Sequence, residues 1–204
     1  MKALIITPAY IDICRELRAA ILGAGIPVLP AFEHSDLPRI RSMLITQALT
    51  SAPSAVERLL LVDADIVPTA GQLLELATSP LVTPDSALTG LYPTRDGKRW
   101  AVHARDPEDP GRSSAFEAEW AGLGFCAIHR QSLERVAAAT PQVYPDGGGS
   151  GWTPFCVPTL VPGLYLPDDR ALWYRLECAG VRLWADSGLK VGHLIRAILR
   201  EPQG

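Results

Sequence analysis

Short apolar runs alternate with segments of helical periodicity in the amino-terminal half of the chain. The apolar runs predict strands and lie at residues 2–7, 26–29, 59–62 and 86–92. The helical segments between them lie at residues 10–22, 37–49 and 69–77. Strands that alternate with helices in this way form a parallel sheet with helices packed on its faces. We therefore expect an α/β fold with a mostly parallel central sheet.

The carboxy-terminal half has shorter apolar runs and longer polar connections, which predict a small antiparallel part of the sheet. Strands are predicted at residues 100–103, 116–121, 125–128, 181–185 and 189–194, and helices at residues 130–139 and 168–179. Residues 140–155 are rich in Gly and Pro, which predicts a mobile loop. Neither half contains an internal repeat or a clear boundary, so we expect one compact domain over residues 1–204.

The composition is that of a globular protein, with 48% hydrophobic and 20% charged residues. The net charge is −3 and no basic run stands out, which argues against binding to nucleic acid. The four cysteines do not have the spacing of a zinc site. No apolar run is long enough to cross a membrane, and the amino terminus lacks the core of a signal peptide. We therefore expect a cytoplasmic protein with no transmembrane segment and no nucleic-acid partner.

Two carboxylates directly follow the third predicted strand, in the stretch LLLVDADIVP at residues 59–68. Ligands of open α/β sheets bind beyond the carboxyl ends of the strands, which is where Asp63 and Asp65 fall. Beside an apolar strand the two acids would repel each other and lose hydration, and a divalent cation removes both costs. Oxygen ligands of this kind suit Mg²⁺ or Mn²⁺, with substrate phosphates as further ligands. An Asx turn toward Pro68 accounts for one aspartate but not for both.

The same residues match a second motif. The string Asp63-Ala64-Asp65-Ile66-Val67 fits the D-x-D-x-[TV] pattern of haloacid-dehalogenase-like phosphatases, in which the first acid is the nucleophile. In those enzymes the motif usually follows the first strand, whereas here two strand–helix units precede it. A phosphatase with Asp63 as its nucleophile therefore stays open as an alternative.

Several segments, in their order along the chain, resemble the nucleotide-sugar glycosyltransferases with the GT-A fold, of a bacterial or phage type. They are TPAY at residues 7–10, DLPRIRSMLITQAL at residues 36–49, the D-x-D itself, LTGLYPTR at residues 88–95, AGLGFCAIHRQSLERV at residues 121–136 and DDRALWYRLECAGVRLWADSGLKVGHL at residues 168–194. The resemblance implies a single Rossmann-type domain. Residues 1–92 would bind the nucleotide, and residues 93–204 would bind the acceptor and carry the catalysis.

The resemblance also implies a reaction, a cofactor and a donor site. A sugar would move from a nucleoside diphosphate sugar to a hydroxyl of a glycan, a protein or a small molecule. Asp65 and His193 would hold Mn²⁺ or Mg²⁺, with Asp63 close by. Arg41 would lie near the diphosphate, with a solvated helix arginine as the alternative. The donor contacts implied are Thr7, Pro8, Ala9, Tyr10, Arg41, Asp63 and Ala64.

On the acceptor side, the resemblance places Asp169 at the position of the acid that orients the acceptor hydroxyl and accepts its proton. Asp168 departs from the family pattern, which more often has Glu there, and would contact the acceptor. Further sugar contacts are implied at Gly122, Gly124 and Trp152, the last within the Gly-rich loop. Acids at a helix start also favour capping, so we expect one of the two aspartates to cap the helix. A non-catalytic protein that binds nucleotide sugars stays open as a further alternative.

Overall fold

Twelve strands and five helices make up the computed structural model, which describes residues 2–9, 12–31, 36–106, 114–144 and 149–194. In chain order they are β1 (Ala3–Pro8), α1 (Arg15–Ala24), β2 (Val28–Ala31), α2 (Leu37–Ser51), β3 (Arg58–Val62), β4 (Ile66–Val67), α3 (Ala70–Thr78), β5 (Ser86–Leu91), β6 (Val102–Ala104), β7 (Ala115–Ala121), β8 (Phe125–His129), α4 (Arg130–Ala139), β9 (Thr159–Val161), β10 (Leu164–Leu166), α5 (Asp168–Cys178), β11 (Arg182–Lys190) and β12 (Gly192–His193).

Eight of the strands form one central sheet in the order β2-β1-β3-β8-β5-β11-β7-β6. β1 is parallel to β2 and β3, and β5 is parallel to β11. β7 and β8 are each antiparallel to both of their neighbours. Six of the eight strands therefore point in one direction, and the two reversed strands come from the second half of the chain. The predicted α/β fold with a mostly parallel sheet is confirmed.

Helices cover both faces of this sheet. α1 and α3 pack on one face, around a core that includes Ile5, Leu60 and Phe125. α2, α4 and α5 pack on the other face, around a core that includes Ile6 and Leu61. Successive side chains of a strand point to opposite faces, which is why neighbours such as Leu60 and Leu61 belong to different cores. No helix among the described residues is long and apolar enough to span a membrane.

The strand order places the second half of the chain beside the acidic pair. β8 lies between β3 and β5, and Phe125 at its start is opposite Val62 at the end of β3. The turn at residues 122–124, which leads into β8, therefore adjoins the D-x-D. The division of the chain into a nucleotide half and an acceptor half concerns the roles of these segments and stays a prediction.

Two small sheets lie apart from the central one. β4 pairs with β12, with Ile66 opposite His193, and β9 forms a hairpin with β10. Neither β4 nor the hairpin was expected, because elements of two or three residues are too short to show a period in the sequence. The β4–β12 pair matters for the site, since it joins the end of the described chain to the D-x-D turn.

The predicted mobile loop at residues 140–155 lies only partly within the described residues. Its carboxyl end is attached to α2, where the Thr153 N–H donates to Thr46 Oγ1 (3.0 Å) and the Cys156 N–H donates to Ser42 Oγ (2.9 Å). Cys156 is fully buried in the core on that face of the sheet. This end of the segment therefore packs on the α2 layer.

Candidate active site

A tight turn at the carboxyl end of β3 presents Asp63 and Asp65. The Asp63 N–H donates to the Gly124 carbonyl (3.0 Å), and the Ile66 N–H donates to the Asp63 carbonyl (3.1 Å). Beyond the turn, the Leu194 N–H donates to the Asp65 carbonyl (2.7 Å). The backbone thus attaches the D-x-D both to the start of β8 and to the residue after β12.

His193 lies against Asp65 as a result, with Nε2 at 3.3 Å from Oδ2. Its other ring nitrogen, Nδ1, lies 2.8 Å from the Pro93 carbonyl oxygen. Since a carbonyl only accepts, Nδ1 carries a hydrogen and donates it. Nε2 then faces the carboxylate with a bare lone pair unless it binds a proton or a metal ion. The imidazole is only 8% exposed and meets the ring of Tyr92 edge-on, so its orientation is well defined.

Arg41, in α2, lies among three carboxylates, and its side chain is only 5% exposed. Its Nη2 donates to both oxygens of Asp63, at 2.8 and 2.7 Å. Its Nη1 donates to Asp168 Oδ2 at 2.8 Å and lies 3.5 Å from Asp169 Oδ1. Burial by itself lowers the pKa of the guanidinium, but Asp63 and Asp169 outweigh it and raise the pKa above its ordinary value. The alternative of a solvated helix arginine is therefore wrong.

Asp168 and Asp169 begin α5, yet neither of them caps it. The N-cap position belongs to Pro167, and no side chain caps this helix, so the expectation that one aspartate would do so is wrong. Pro167 has a φ of −65°, which suits the entry to a helix and lets α5 begin at the next residue. The two carboxylates reach the guanidinium of Arg41 instead.

The carboxyl group of Asp169 holds its proton more tightly than an ordinary aspartate. Burial is the main cause, partly offset by Arg41 and by a hydrogen bond from the Leu123 N–H, and repulsion from Asp168 and Asp63 adds to it. Together these effects raise the pKa of Asp169 to about 7. Because 34% of the side chain is exposed, the group stays accessible. A carboxyl group with this pKa can exchange a proton near neutral pH.

Tyr92 accounts for both glycines of the predicted sugar site. Its hydroxyl oxygen accepts a hydrogen bond from the Gly124 N–H (2.9 Å). A Cβ at Gly122 would lie 2.0 Å from that oxygen. A Cβ at Gly124 would lie 3.0 Å from Tyr92 and 3.2 Å from Asp63 Oδ2. The glycines thus let the backbone approach the buried phenol, and a close approach to a sugar is not needed to explain them.

A cavity of about 1090 Å³ opens beside these groups. It brings together seven of the predicted site residues, namely Arg41, Asp63, Asp65, Gly122, Asp168, Asp169 and His193. The other predicted residues within the described ranges are not part of its lining, and these are Thr7, Pro8, Ala9, Ala64, Gly124 and Trp152.

The predicted donor contacts at the end of β1 stay predictions. Thr7 and Ala9 are buried, and the Thr7 hydroxyl has no hydrogen-bond partner among the described residues. Tyr10, which continues this segment, lies outside the described residues. Trp152 forms an isolated bridge with Val143 and does not line the cavity, so its position gives no support to a role as a sugar platform.

Sequence reasoning missed a second wall of the cavity, formed by the turn between β5 and β6 and by two tryptophans. Residues 94–100, with the sequence TRDGKRW, lie between these strands. Five of them line the cavity, namely Thr94, Arg95, Lys98, Arg99 and Trp100. Trp120 lines it as well, whereas Trp152, the tryptophan implied as a sugar contact, does not. The charged turn was visible in the sequence, but polar turns are common on every protein surface, and nothing local showed that this one faces a cavity.

The pair formed by Asp65 and His193 can hold a cation that other ligands complete. In the part of the chain that the structure describes, no three His, Cys, Asp or Glu side chains are grouped closely enough to hold a metal ion. Two atoms 3.3 Å apart can nevertheless both lie about 2.1 Å from one ion. Mg²⁺ in particular keeps several waters and binds through one or two protein ligands plus substrate phosphates. The residues present therefore fit the predicted Mn²⁺ or Mg²⁺.

Known proteins resemble this chain in structure but not detectably in sequence. No protein-family model and no curated protein matches it. The structure of A197 from STIV aligns with this chain at a TM-score of 0.65 and 19% sequence identity. The alignment covers 96% of this chain and 87% of the A197 chain. GalNAc-T7, solved with UDP, GalNAc and Mn²⁺, covers 97% of this chain with a TM-score of 0.57 and 11% identity. This chain spans 44% of the GalNAc-T7 structure, which is less than half.

Identities this low show the fold alone, and the fold is GT-A-like. GalNAc-T7 is a GT-A glycosyltransferase, so the structural neighbours of this chain include enzymes of that class. The fold expected from the sequence is confirmed. The bacterial or phage type of the resemblance stays a prediction.

The contact between Gly122 and Tyr92 can be tested by two substitutions. Gly122→Ala should lower the free energy of unfolding by about 1–3 kcal/mol, because the new methyl group overpacks the phenol. Tyr92→Phe removes the oxygen that lies 2.0 Å from that methyl and leaves the ring carbon at 3.0 Å. In urea unfolding, the double variant should therefore lose less stability than the sum of the two single variants. Gly71→Ala, with no atom closer than 3.8 Å to the new Cβ, is the control, and strictly additive effects would contradict the contact.

The raised pKa of Asp169 should appear in the pH dependence of stability. The folded-state pKa of about 7 exceeds the ordinary value of 3.8, so the folded protein binds this proton more tightly than the unfolded chain does. The wild type therefore loses stability as the pH rises through this range, and the penalty is complete above about pH 7. Asp169→Asn cannot titrate, so its stability relative to the wild type should rise between about pH 4 and pH 7 in urea unfolding. The exposed Asp85→Asn should show no such trend, and a pH-independent difference for Asp169→Asn would contradict the assignment.

Proposed function

We propose that this protein transfers a sugar from a nucleoside diphosphate sugar to an acceptor hydroxyl with the help of Mn²⁺ or Mg²⁺. The observation that carries the proposal is the pairing of Asp65 with His193 in the same cavity as Asp169. The cavity thus combines ligands for a cation with a carboxyl group suited to proton transfer. The GT-A-like fold supports the proposal, since GalNAc-T7 was solved with UDP, GalNAc and Mn²⁺.

The cation would be held by Asp65 Oδ2 and His193 Nε2. The Pro93 carbonyl accepts from Nδ1 and so selects the tautomer in which Nε2 can coordinate. Two protein ligands leave the other positions to water and to oxygens of the diphosphate. When bound there, the ion supplies Lewis-acid stabilisation of the negative charge on the departing nucleoside diphosphate.

Asp63 has a different environment from Asp65. Its carboxylate receives two hydrogen bonds from Arg41 and remains 25% exposed at the cavity wall. We assign it to the donor, where its oxygens would accept from a ribose hydroxyl. The same hydrogen bonds stabilise the negative charge of Asp63 and reduce its reactivity as a nucleophile, so they do not favour the phosphatase alternative.

Asp169 would act as the general base. Its carboxylate takes the proton from the acceptor hydroxyl while the acceptor oxygen forms a bond to the anomeric carbon of the donor sugar. The bond between that carbon and the diphosphate breaks at the same centre, and the nucleoside diphosphate leaves with the electron pair. A base whose pKa lies near the working pH transfers protons most effectively, and the pKa of Asp169 is about 7. This step inverts the configuration at the anomeric carbon.

Nucleotide binding should depend on both predicted metal ligands. A matching nucleoside diphosphate, chosen from UDP, GDP, CDP and ADP, should raise the melting temperature by about 5 °C or more at saturation when Mn²⁺ is present. Asp65→Ala and His193→Ala should each lose this shift, because each removes one of two protein ligands. Thermal unfolding with Mn²⁺ alone, nucleotide alone and both together measures the effect.

Asp85→Ala is the matched control for that experiment, since Asp85 is 74% exposed and does not line the cavity. It should retain the full shift. A wild type with no nucleotide response that instead hydrolyses p-nitrophenyl phosphate would overturn the proposal in favour of a phosphatase. A shift that persists in both ligand variants would place the metal elsewhere.

Loss of the base should separate binding from turnover. Asp169→Asn should keep the nucleotide-dependent thermal shift but release nucleoside diphosphate from the matching nucleotide sugar at least about 100-fold more slowly. Asp85→Asn should have wild-type turnover. Full activity in Asp169→Asn would refute its role as the base, and a wild type that binds nucleotide sugar without any turnover would identify a non-catalytic binding protein.

A further inference from the structure

The turn at residues 94–100, here called the cationic turn, has an ordered backbone. The Thr94 N–H donates to the Arg99 carbonyl (2.8 Å), and the Gly97 N–H donates to the Thr94 carbonyl (2.8 Å). Pro93 and Trp100 close the turn with an isolated antiparallel bridge. Gly97 has a φ of 67°, a conformation that glycine adopts without strain. The side chains of the turn are therefore presented from a defined scaffold.

Three positive side chains of this turn line the cavity. Arg95, Lys98 and Arg99 are exposed and line the cavity, and among the described residues none of them forms an ion pair. Asp96 lies in the same turn, where hydrogen bonds from the Thr94 hydroxyl and the Lys98 N–H, together with the charge of Arg99, lower the pKa of its carboxyl. Asp96 does not line the cavity. The whole chain has a net charge of −3, so this positive charge is confined to the turn and does not reflect the overall composition.

Aromatic rings lie next to these charges. Trp100 is 45% exposed. The Nζ of Lys190, the fourth cation of the lining that forms no ion pair among the described residues, lies 5.9 Å from the Trp100 ring centroid. Trp120 also lines the cavity, stacked on His103 with a centroid distance of 5.7 Å. Aromatic faces offer a large apolar surface beside polar groups, which is what the ring of a saccharide requires.

The charges of the cavity are divided between two walls. The acids, Asp63, Asp65, Asp168 and Asp169, belong to the D-x-D turn and the start of α5, whereas the unpaired cations belong to the cationic turn and to β11. A neutral acceptor would stack on the tryptophans but would gain no charge–charge attraction from the four cations. An acceptor with a negative group would be attracted to that wall and repelled by the acids, and this difference orients it in the cavity.

We propose that the acceptor of this protein is an acidic saccharide, which places its carboxylate, sulfate or phosphate on Arg95, Lys98 and Arg99 and a sugar ring on Trp100. This inference rests on the proposed function, because it names the acceptor class of the same cavity. A single-stranded nucleic acid also combines negative charge with stacking groups, but its repeated phosphates would meet the acidic wall as well. The diphosphate of the donor is a second possible source of negative charge, and the test separates it from the acceptor.

Binding of defined saccharides, measured by calorimetry, tests the proposal. The acidic probes are a hyaluronan tetrasaccharide and a chondroitin sulfate tetrasaccharide, and the neutral probe of equal length is chitotetraose. At least one acidic probe should bind about tenfold more tightly than the neutral one, and the difference should shrink at high salt. Equal affinity for acidic and neutral probes, or no binding of either acidic probe, would overturn the proposal.

Two sets of variants assign the binding to the cationic turn. Arg95→Gln combined with Lys98→Gln should weaken acidic-probe binding about tenfold and leave chitotetraose unaffected. Trp100→Ala should weaken both kinds of probe, because it removes the ring platform. Arg15→Gln combined with Arg182→Gln is the matched control, since it removes two exposed charges outside the cavity lining and should change neither affinity.

The nucleotide-dependent thermal shift of the same variants distinguishes the sources of negative charge. If Arg95→Gln/Lys98→Gln loses the shift with UDP or another nucleoside diphosphate but keeps acidic-probe binding, the cations serve the donor and the proposal is wrong. If a single-stranded oligonucleotide binds more tightly than every saccharide and depends on the same charges, the proposal is also wrong. A wild type that lacks the nucleotide shift but binds the acidic probe through the turn would refute the proposed function while leaving the acidic-saccharide site in place.

Discussion

The geometry of the site depends on one positive charge buried among three carboxylates. Arg41 hydrogen-bonds to Asp63 and Asp168 and lies beside Asp169, almost out of contact with solvent. A buried guanidinium without acids would lose several kcal/mol of hydration free energy, and the acids without the guanidinium would repel one another. Each side therefore requires the other, and this ties α2, the end of β3 and the start of α5 together. Burial, together with repulsion from Asp168 and Asp63, raises the pKa of Asp169. One cation against three acids leaves the cluster negative, which favours a further cation at the neighbouring Asp65.

Tyr92 has a comparable role in packing. Its hydroxyl accepts from Gly124, its ring supports the edge of His193, and Gly122 leaves space for it. Through these two contacts the phenol connects the turn before β8 to His193 in β12. Through this contact the orientation of the imidazole, and with it the direction of Nε2, depends on Tyr92 and on the two glycines beside it. The resemblance had explained the same glycines by an approaching sugar, whereas the packing explains them from within the protein.

The individual strands and helices were well predicted, but the residues that line the cavity were not. The third strand was expected at residues 59–62 and is Arg58–Val62, and the last helix was expected at residues 168–179 and is Asp168–Cys178. Periodicity of apolar side chains is a local property, so it finds such elements. Which tryptophan lines a cavity depends on strand order and on the direction of each turn. Trp100 and Trp120 line it and Trp152 does not, a distinction that no local pattern contains.

The sequence by itself determined the layers of this protein and the chemical types available at the ends of its strands. An apolar strand must be covered, and a pair of aspartates at its end must find a compensating charge, wherever the rest of the chain lies. Only the tertiary structure decided which charge compensates which acid. Arg41 meets Asp63 across 22 residues of sequence and Asp168 across 127, because α2 and α5 pack on the same face of the sheet, beside the end of β3. Strand order is a property of the whole chain, since it depends on which pairing buries the most apolar surface, and the charge partners follow from it.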